Sequence, residues 1–346
     1  MTNLTESTID VVHYMRKPGL RAYSVERVYG DIRKHVPSDI AIRTCVSRFA
    51  SRGIFGRVLD IFRVPWCQGD VNHVTGDVHF LTYLLRKHRT VLTILDCVTL
   101  ERLQGFKKYL FWLLWYWLPE KRCTRVVAIS ESTKRQLMYY LKCDENKIRV
   151  IHCNVSDVFK PAPKFFNQTC PRILQIGTTP NKNIERVAEA LRGVVCNFVV
   201  VGLLSDEQTG ALQKCRISYE NYARIADDEL IRQYGLCDML IFASTYEGFG
   251  LPIVEANAVG RPVVTSDCWS MPEVAGNAAC LVNPLDVQSI RAGVMRVITD
   301  AAYRDQLVAH GFENVKRFRV EAVAEKYAEL YRDVYSLNFS KNTLLS

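Results

Sequence analysis

The sequence predicts an α/β protein built from two doubly wound parallel-sheet domains that face a central cleft. Three observations predict it. The chain has 346 residues, enough for two domains of roughly 150–200 residues each. In both halves, short apolar runs alternate with stretches of helical spacing, the pattern of a parallel sheet covered on both faces. A proline-rich stretch, KPAPKFFNQTCP at 160–171, separates the halves as a linker would.

In the first half, strand-like runs lie at Ile9–Tyr14, Ile40–Val46, Val71–Val74, Val91–Leu95, Arg125–Ile129 and Ile148–Ile151. Helical spacing appears at Ser24–His35, His79–Lys87, Lys107–Leu118 and Glu131–Leu141. In the second half, Ile173–Ile176 and Phe198–Val201 each run into a glycine, Gly177 and Gly202. Met239–Ala243 and Pro262–Ser266 follow, and three helices close the chain near Val287–Ile298, Tyr303–His310 and Val320–Ser336. This gives a first domain at 1–165, a second at 172–320 and a C-terminal helix within 321–346. Open α/β sheets bind ligands beyond the carboxyl ends of their strands, so the loops after Ile176, Val201, Ala243 and Ser266 are where a site is sought.

Composition narrows the function. Hydrophobic residues make up 48% and charged residues 23%, which is globular rather than disordered. No apolar run approaches the roughly 20 residues of a membrane span, and the N-terminus lacks the basic start and apolar core of a secretory signal. A cytoplasmic location follows as the expectation. The 12 cysteines are scattered without a CxxC or CxxH pair, so they read as buried or incidental thiols rather than zinc ligands. The net charge of +9 is uneven: residues 1–165 hold 27 Lys+Arg against 15 Asp+Glu, a net of +12, and residues 166–346 hold 18 against 21. The asymmetry points to an anionic partner for the first half, which is a phosphorylated substrate, a membrane surface or nucleic acid; the alternative is an ordinary solvated basic surface.

The segment LIFASTYEGFGLPIVEANAVGRPVVTS, 240–266, carries the most chemistry. A buried strand ends near Ser244, and a turn follows at Gly248 and Gly250. Pro252 suits the first helical position, and Gly260 and Pro262 suit the stop, which puts Glu255 in the first turn. The helix start offers N–H groups and the positive dipole end to an anion, and the glycines let backbone approach a diphosphate. The same text also reads as an altered GxGxxG, with Asp267 as a ribose-binding acid, which would make an NAD-dependent oxidoreductase. Ile253 stands where the third glycine would be, and Glu247 sets a carboxylate beside the pyrophosphate, so this is the alternative. A basic nucleic-acid-binding protein is the second alternative, without a recognisable module.

The spacing Glu247-x7-Glu255 within EGFGLPIVE resembles the signature of family-4 glycosyltransferases, retaining enzymes with two Rossmann-like domains in the GT-B arrangement. ILQIGTTPNKNIERVAEAL (173–191), VVAISESTKRQL (126–137) and PEVAGNAACLVNP (272–284) are similar to further segments of that family, in the same order. The resemblance implies that residues 1–165 bind an acceptor, that residues 172–320 bind a nucleotide diphosphate sugar, and that the last helix packs back on the first domain. It implies that Glu247 contacts the donor sugar and that the backbone of Gly248, Phe249, Gly250 and Leu251 lines sugar and diphosphate. Glu255 would accept the ribose hydroxyls, and Lys182, in the loop with Gly177 and Thr178, would neutralise the diphosphate. Glu247 and Lys182 are thus the expected catalytic residues.

Two positions depart from the family pattern. Thr178 stands where a phosphate-binding Arg is usual, which shifts charge onto Lys182 or a residue such as Arg224. Leu95, followed by Asp96, stands where a His often faces the sugar; the loss of that contact would suit a 6-deoxy donor, and His79 is a possible substitute. Taken alone, His73 and His79 each read first as ordinary polar lining. No DxD triplet occurs, so neither a metal nor another cofactor is expected.

The run KKYLFWLLWYWLPEKR, 107–122, is flanked by lysine and arginine. It reads either as an interfacial helix on an anionic membrane or as a buried one, and the basic first half favours the membrane. The sequence therefore predicts a metal-independent hexosyltransferase acting in lipopolysaccharide or other polysaccharide biosynthesis. Its acceptor would be a lipid-linked or cell-surface glycan, and its location peripheral on the inner face of the cell membrane.

Overall fold

The computed structural model of the chain describes residues 8–17, 24–49 and 53–343. Residues 1–7, on which the reading of the N-terminus partly rests, lie outside the described residues. The chain divides into two compact units, Met1–Asn154 with Val320–Ser346, and Val155–Arg319.

Among the described residues, the first unit holds six strands: β1 (Ile9–Met15), β2 (Ile40–Val46), β3 (Val71–Val74), β4 (Thr90–Ile94), β5 (Arg125–Ala128) and β6 (Ile148–Val150), in the order β2-β1-β3-β4-β5-β6. Every pairing is parallel. β3 and β4 are buried along their whole length, as strands covered by helices on both faces must be. The helix Val320–Thr343 packs against the helix Ser24–His35 and against β1 and β3. Its Tyr331 hydroxyl lies 2.9 Å from His13 Nε2 and 2.7 Å from His73 Nδ1. His73 Nε2 lies 2.7 Å from the Thr93 hydroxyl, which also accepts from Tyr29. All five side chains are buried. Burial holds His73 down to about 3 and His13 well below the usual histidine range, so both rings are neutral. Nearer the surface, Arg332 pairs with Asp39 at 2.8 Å and Arg125 with Asp333 at 2.9 Å.

The second unit holds β7 (Arg172–Ile176), β8 (Asn197–Val201), β9 (Tyr219–Tyr222), β10 (Met239–Phe242), β11 (Val263–Ser266) and β12 (Cys280–Val282). Their order is β12-β11-β10-β7-β8-β9, all parallel. The chain winds outward from β7 to β9, returns to β10 on the other side of β7, and winds outward again. The carboxyl ends of β7 and β10 therefore flank the topological switch point, where such sheets take ligands.

Three local expectations are corrected. The stretch 160–171 is bound to the second unit: Asp238, buried at the start of β10, accepts from Arg172 N at 2.7 Å and Asn167 N at 3.1 Å and pairs with Lys164. The division falls earlier, between Asn154 and Val155. Residues 79–87 form two 3₁₀ turns, His79–Leu84 and Lys87–Arg89, broken where Leu85 turns extended. Residues 107–118 are not one α-helix. Helix Gly105–Trp112 passes into a π turn at Leu113–Trp117 and resumes at Leu118–Lys121. Pro119 has no N–H to return to Trp115, and the freed carbonyls find side chains: His79 Nδ1 reaches Trp115 O at 2.7 Å and Tyr83 donates to Leu114 O. A further helix, Ile54–Arg63, was not anticipated.

Candidate active site

The loops after β7 and β10 meet at the switch point. After β7, Gly177 adopts φ +87, and a Cβ there would meet Lys182 Cε at 2.8 Å. A glycine is required both for the backbone and for the path of the lysine. The turn Pro180–Lys182 then aims Lys182 across to the β10 loop, where Nζ lies 2.6 Å from Glu247 Oε1. The ammonium also sits 4.3 Å from the Phe242 ring. Both charged side chains are about five-sixths buried, at 15% and 14% exposure, so the pair is only lightly screened. Lys182 and Glu247, distant in sequence, are thus one unit.

After β10, Gly250 takes φ +109 and caps the helix Leu251–Val259, with Pro252 in its second position. This corrects the expected start by one residue, since the left-handed glycine lets Leu251 begin the helix. Glu255 accordingly falls beyond the first turn. It is 8% exposed and accepts from the Tyr234 hydroxyl at 2.7 Å. Gly248 and Leu251 are half-buried, and Phe249 packs edge-on against Phe318. Thr178 donates to Leu203 O at 2.8 Å, and its own carbonyl accepts from Gln208. Arg224 is exposed in the loop after β9, with φ +57.

The rigidity of the β10 loop comes from residues that sequence reasoning missed. Asn181 donates to Tyr246 O at 2.9 Å and to Glu247 Oε1 at 3.3 Å. Asn183, left-handed at φ 62, donates to Ala243 O and Pro284 O. From the loop after β11, the Ser270 hydroxyl donates to Phe249 O at 2.8 Å and lies 3.0 Å from Glu247 O, and Trp269 Nε1 donates to Thr245 O at 2.9 Å. The signal in the sequence was the NKN triplet at 181–183, since Asn tolerates the left-handed region and reaches backbone carbonyls.

In the first unit, Leu95 and Asp96 follow β4 and are half-buried. Asp96 Oδ1 accepts from Val98 N at 2.9 Å, and its carbonyl accepts from Tyr116. His79 is buried against the edge of Tyr116, where it holds the π turn. His73 belongs to the buried network around Tyr331. In the 107–122 segment, Tyr116 is buried, Trp112, Trp115 and Trp117 are half-buried, and Tyr109 and Leu110 are exposed. The segment packs one side into the first unit and leaves Tyr109 and Leu110 at the surface. All twelve cysteines are free thiols, nine of them buried.

Two family descriptions match the chain: "Glycosyltransferase Family 4" over residues 8–157 and "Glycosyl transferases group 1" over residues 159–314. A glycosyltransferase of Rickettsia africae superposes over 94% of this chain and 98% of its own, with a TM-score of 0.72 at 19% identity. The fold is that of the GT-B glycosyltransferases. Anabaena HepE, solved with UDP and glucose, shares this GT-B fold over 94% of this chain and all of its own, with a TM-score of 0.72 at 16% identity. The O-antigen chain mannosyltransferase B of Escherichia coli is 35% identical over 116 residues, which are 34% of this chain and 30% of that protein. The match to this relative therefore spans less than a third of its length. The matches give no support to the oxidoreductase or nucleic-acid alternatives. Among the described residues, no helix is long and apolar enough to cross a membrane.

Proposed function

We propose that this GT-B protein is a retaining glycosyltransferase. It would transfer a hexose, mannose or a 6-deoxyhexose, from a nucleotide diphosphate sugar to a lipid-linked or cell-surface glycan. The observation that carries the reading is the Lys182–Glu247 pair at the switch point of the second unit. The E. coli relative is by name an O-antigen mannosyltransferase, and HepE was solved with UDP, which supports both the substrate class and the nucleotide.

In this reading the diphosphate draws the Lys182 ammonium, and Glu247 is released to the hydroxyls of the sugar. The bond between the anomeric carbon and the diphosphate oxygen breaks, and its electron pair leaves with the phosphate. Lys182 stabilises the charge that gathers there. The acceptor hydroxyl oxygen bonds to the anomeric carbon on the face the phosphate leaves, and its proton passes to the departing phosphate oxygen. The anomeric configuration is retained. Glu255 receives the ribose hydroxyls, held in place by Tyr234. With an ammonium at the diphosphate and no DxD triplet in the chain, no metal is required. The acceptor's lipid would place the protein peripherally on the inner face of the cell membrane.

A panel of nucleotides and nucleotide sugars, read by thermal shift, tests the donor class, because a ligand of the folded state raises its melting point. Stabilisation by one nucleoside diphosphate and its sugars is the expected result. NADH as the only stabilising ligand would overturn the reading.

A further inference from the structure

We propose that the helix Ile54–Arg63 and the turn Val64–Cys67 form a membrane-docking face whose partner is an anionic lipid surface. The helix is inside out. Its carboxylate, Asp60, is 2% exposed, while Ile54, Phe55, Phe62 and Trp66 are 79%, 76%, 65% and 90% exposed. Val58 and Leu59 stand on the same outer face. The inversion is built in. Asp60 Oδ1 accepts from Arg48 N at 3.1 Å and lies 3.7 Å from Arg63 Nε, and Arg63 donates on to Val46 O. A helix so anchored by its polar residue cannot roll its apolar side inward. Large apolar side chains held together on one exposed face mark an interaction surface rather than scattered surface residues.

The neighbouring surface has the same character. Arg57 links this helix to the π turn, with its guanidinium 4.6 Å from the Trp115 ring. The helix leading into that turn exposes Phe106, Tyr109 and Leu110. The charge around the face selects the occupant. Arg48, beside the Asp60 anchor, and Lys107, beside Phe106, are exposed, and residues 1–165 carry a net +12. A second copy of the chain would set these cations against their own kind across a two-fold axis, whereas anionic headgroups neutralise them. Ten helical residues give about 15 Å of rod, which lies in the interface plane with its aromatic side chains at headgroup depth. The proposal extends the reading of a lipid-linked acceptor but stands on residues remote in sequence from the donor loops.

The test is co-sedimentation with vesicles of phosphatidylcholine, with and without phosphatidylglycerol. The parent is compared with a combined Phe55→Ser, Phe62→Ser, Trp66→Ser variant and with a combined Phe106→Ser, Tyr109→Ser, Leu110→Ser variant. The parent should bind the anionic vesicles, more weakly in high salt and on pure phosphatidylcholine. The first variant should lose at least about tenfold in partitioning with a nearly unchanged melting point, since its residues are 65–90% exposed. A first variant that binds like the parent overturns the proposal, as does a loss confined to the second variant. A parent that is dimeric in sedimentation velocity, becomes monomeric on these substitutions and ignores vesicles also overturns it. Nucleotide thermal shifts on the same samples keep the two readings apart: their absence from the parent would remove the donor site and leave the docking face standing.

Discussion

Two helices of similar length show opposite uses of a buried carboxylate. In the second unit, Leu251–Val259 buries Glu255 among apolar neighbours and hands it the Tyr234 hydroxyl, with Ile253–Val259 all buried. In the first unit, Ile54–Arg63 buries Asp60 against the chain's own backbone and turns Ile54, Phe55, Val58, Leu59 and Phe62 to solvent, with Ile61 packed inward. The first arrangement fixes the helix beside the proposed donor site. The second presents a face with no shape requirement, which suits a fluid partner. The loop around Lys182 and Glu247 is thus held by hydrogen bonds and one ion pair, while the helix Ile54–Arg63 is held so that large apolar side chains stay in solvent.

Removing the cation should break the comparison most severely. Lys182→Gln removes the buried ammonium expected to receive the diphosphate, and loss of one such electrostatic contact costs about 10²–10³ in kcat. Steady-state transfer assays measure it, and a variant within a factor of three of the parent would show that the phosphate is held elsewhere. Gly177→Ala should come next, because φ +87 strains any side chain and the new Cβ displaces Lys182. A stability loss of about 1–3 kcal/mol is expected, together with roughly tenfold lower kcat/KM.

Tyr331→Phe examines the buried network of the first unit, which should matter to stability and not to nucleotide binding. Its loss leaves His13 and His73 each short of a partner, for about 1–3 kcal/mol in denaturant melts. The parent should also lose stability in acid. His73 is held neutral in the fold down to about 3, whereas in the unfolded chain it takes up a proton near 6.5. Below 6.5 the unfolded state binds the extra proton, so stability falls as the pH drops from 6.5 toward 3. A stability profile flat across that window would contradict the assignment of the network. The smallest effect expected is none: transfer in EDTA should match transfer in magnesium. Activity that magnesium restores would require a different account of the diphosphate.

The parallel sheets were legible because buried strands leave unbroken apolar runs, and the strand–turn–helix at 240–266 was legible because glycine and proline carry backbone demands of their own. What escaped was pairing at a distance. Ser270 holds the Glu247 loop, and Tyr234 holds Glu255, through contacts 21–23 residues apart that no local pattern encodes. The helix Ile54–Arg63 escaped for a different reason. Its apolar residues recur at helical spacing, but that spacing normally marks a core face, and only the bonds to Asp60 show that it faces outward.

In the proposed reaction, one ion pair at the switch point performs the transfer while Glu255 only holds the nucleotide. Steady-state kinetics of Glu247→Gln beside Glu255→Gln test it most directly. Glu247→Gln should lower kcat by about two orders of magnitude or more with a smaller change in the donor KM, since the carboxylate acts where charge develops. Glu255→Gln should instead raise the donor KM roughly ten- to hundredfold, the loss of a charge-assisted hydrogen bond worth about 1.5–3 kcal/mol, and leave kcat nearly unchanged. Exchanged patterns, or two variants that change KM alone, would contradict the account.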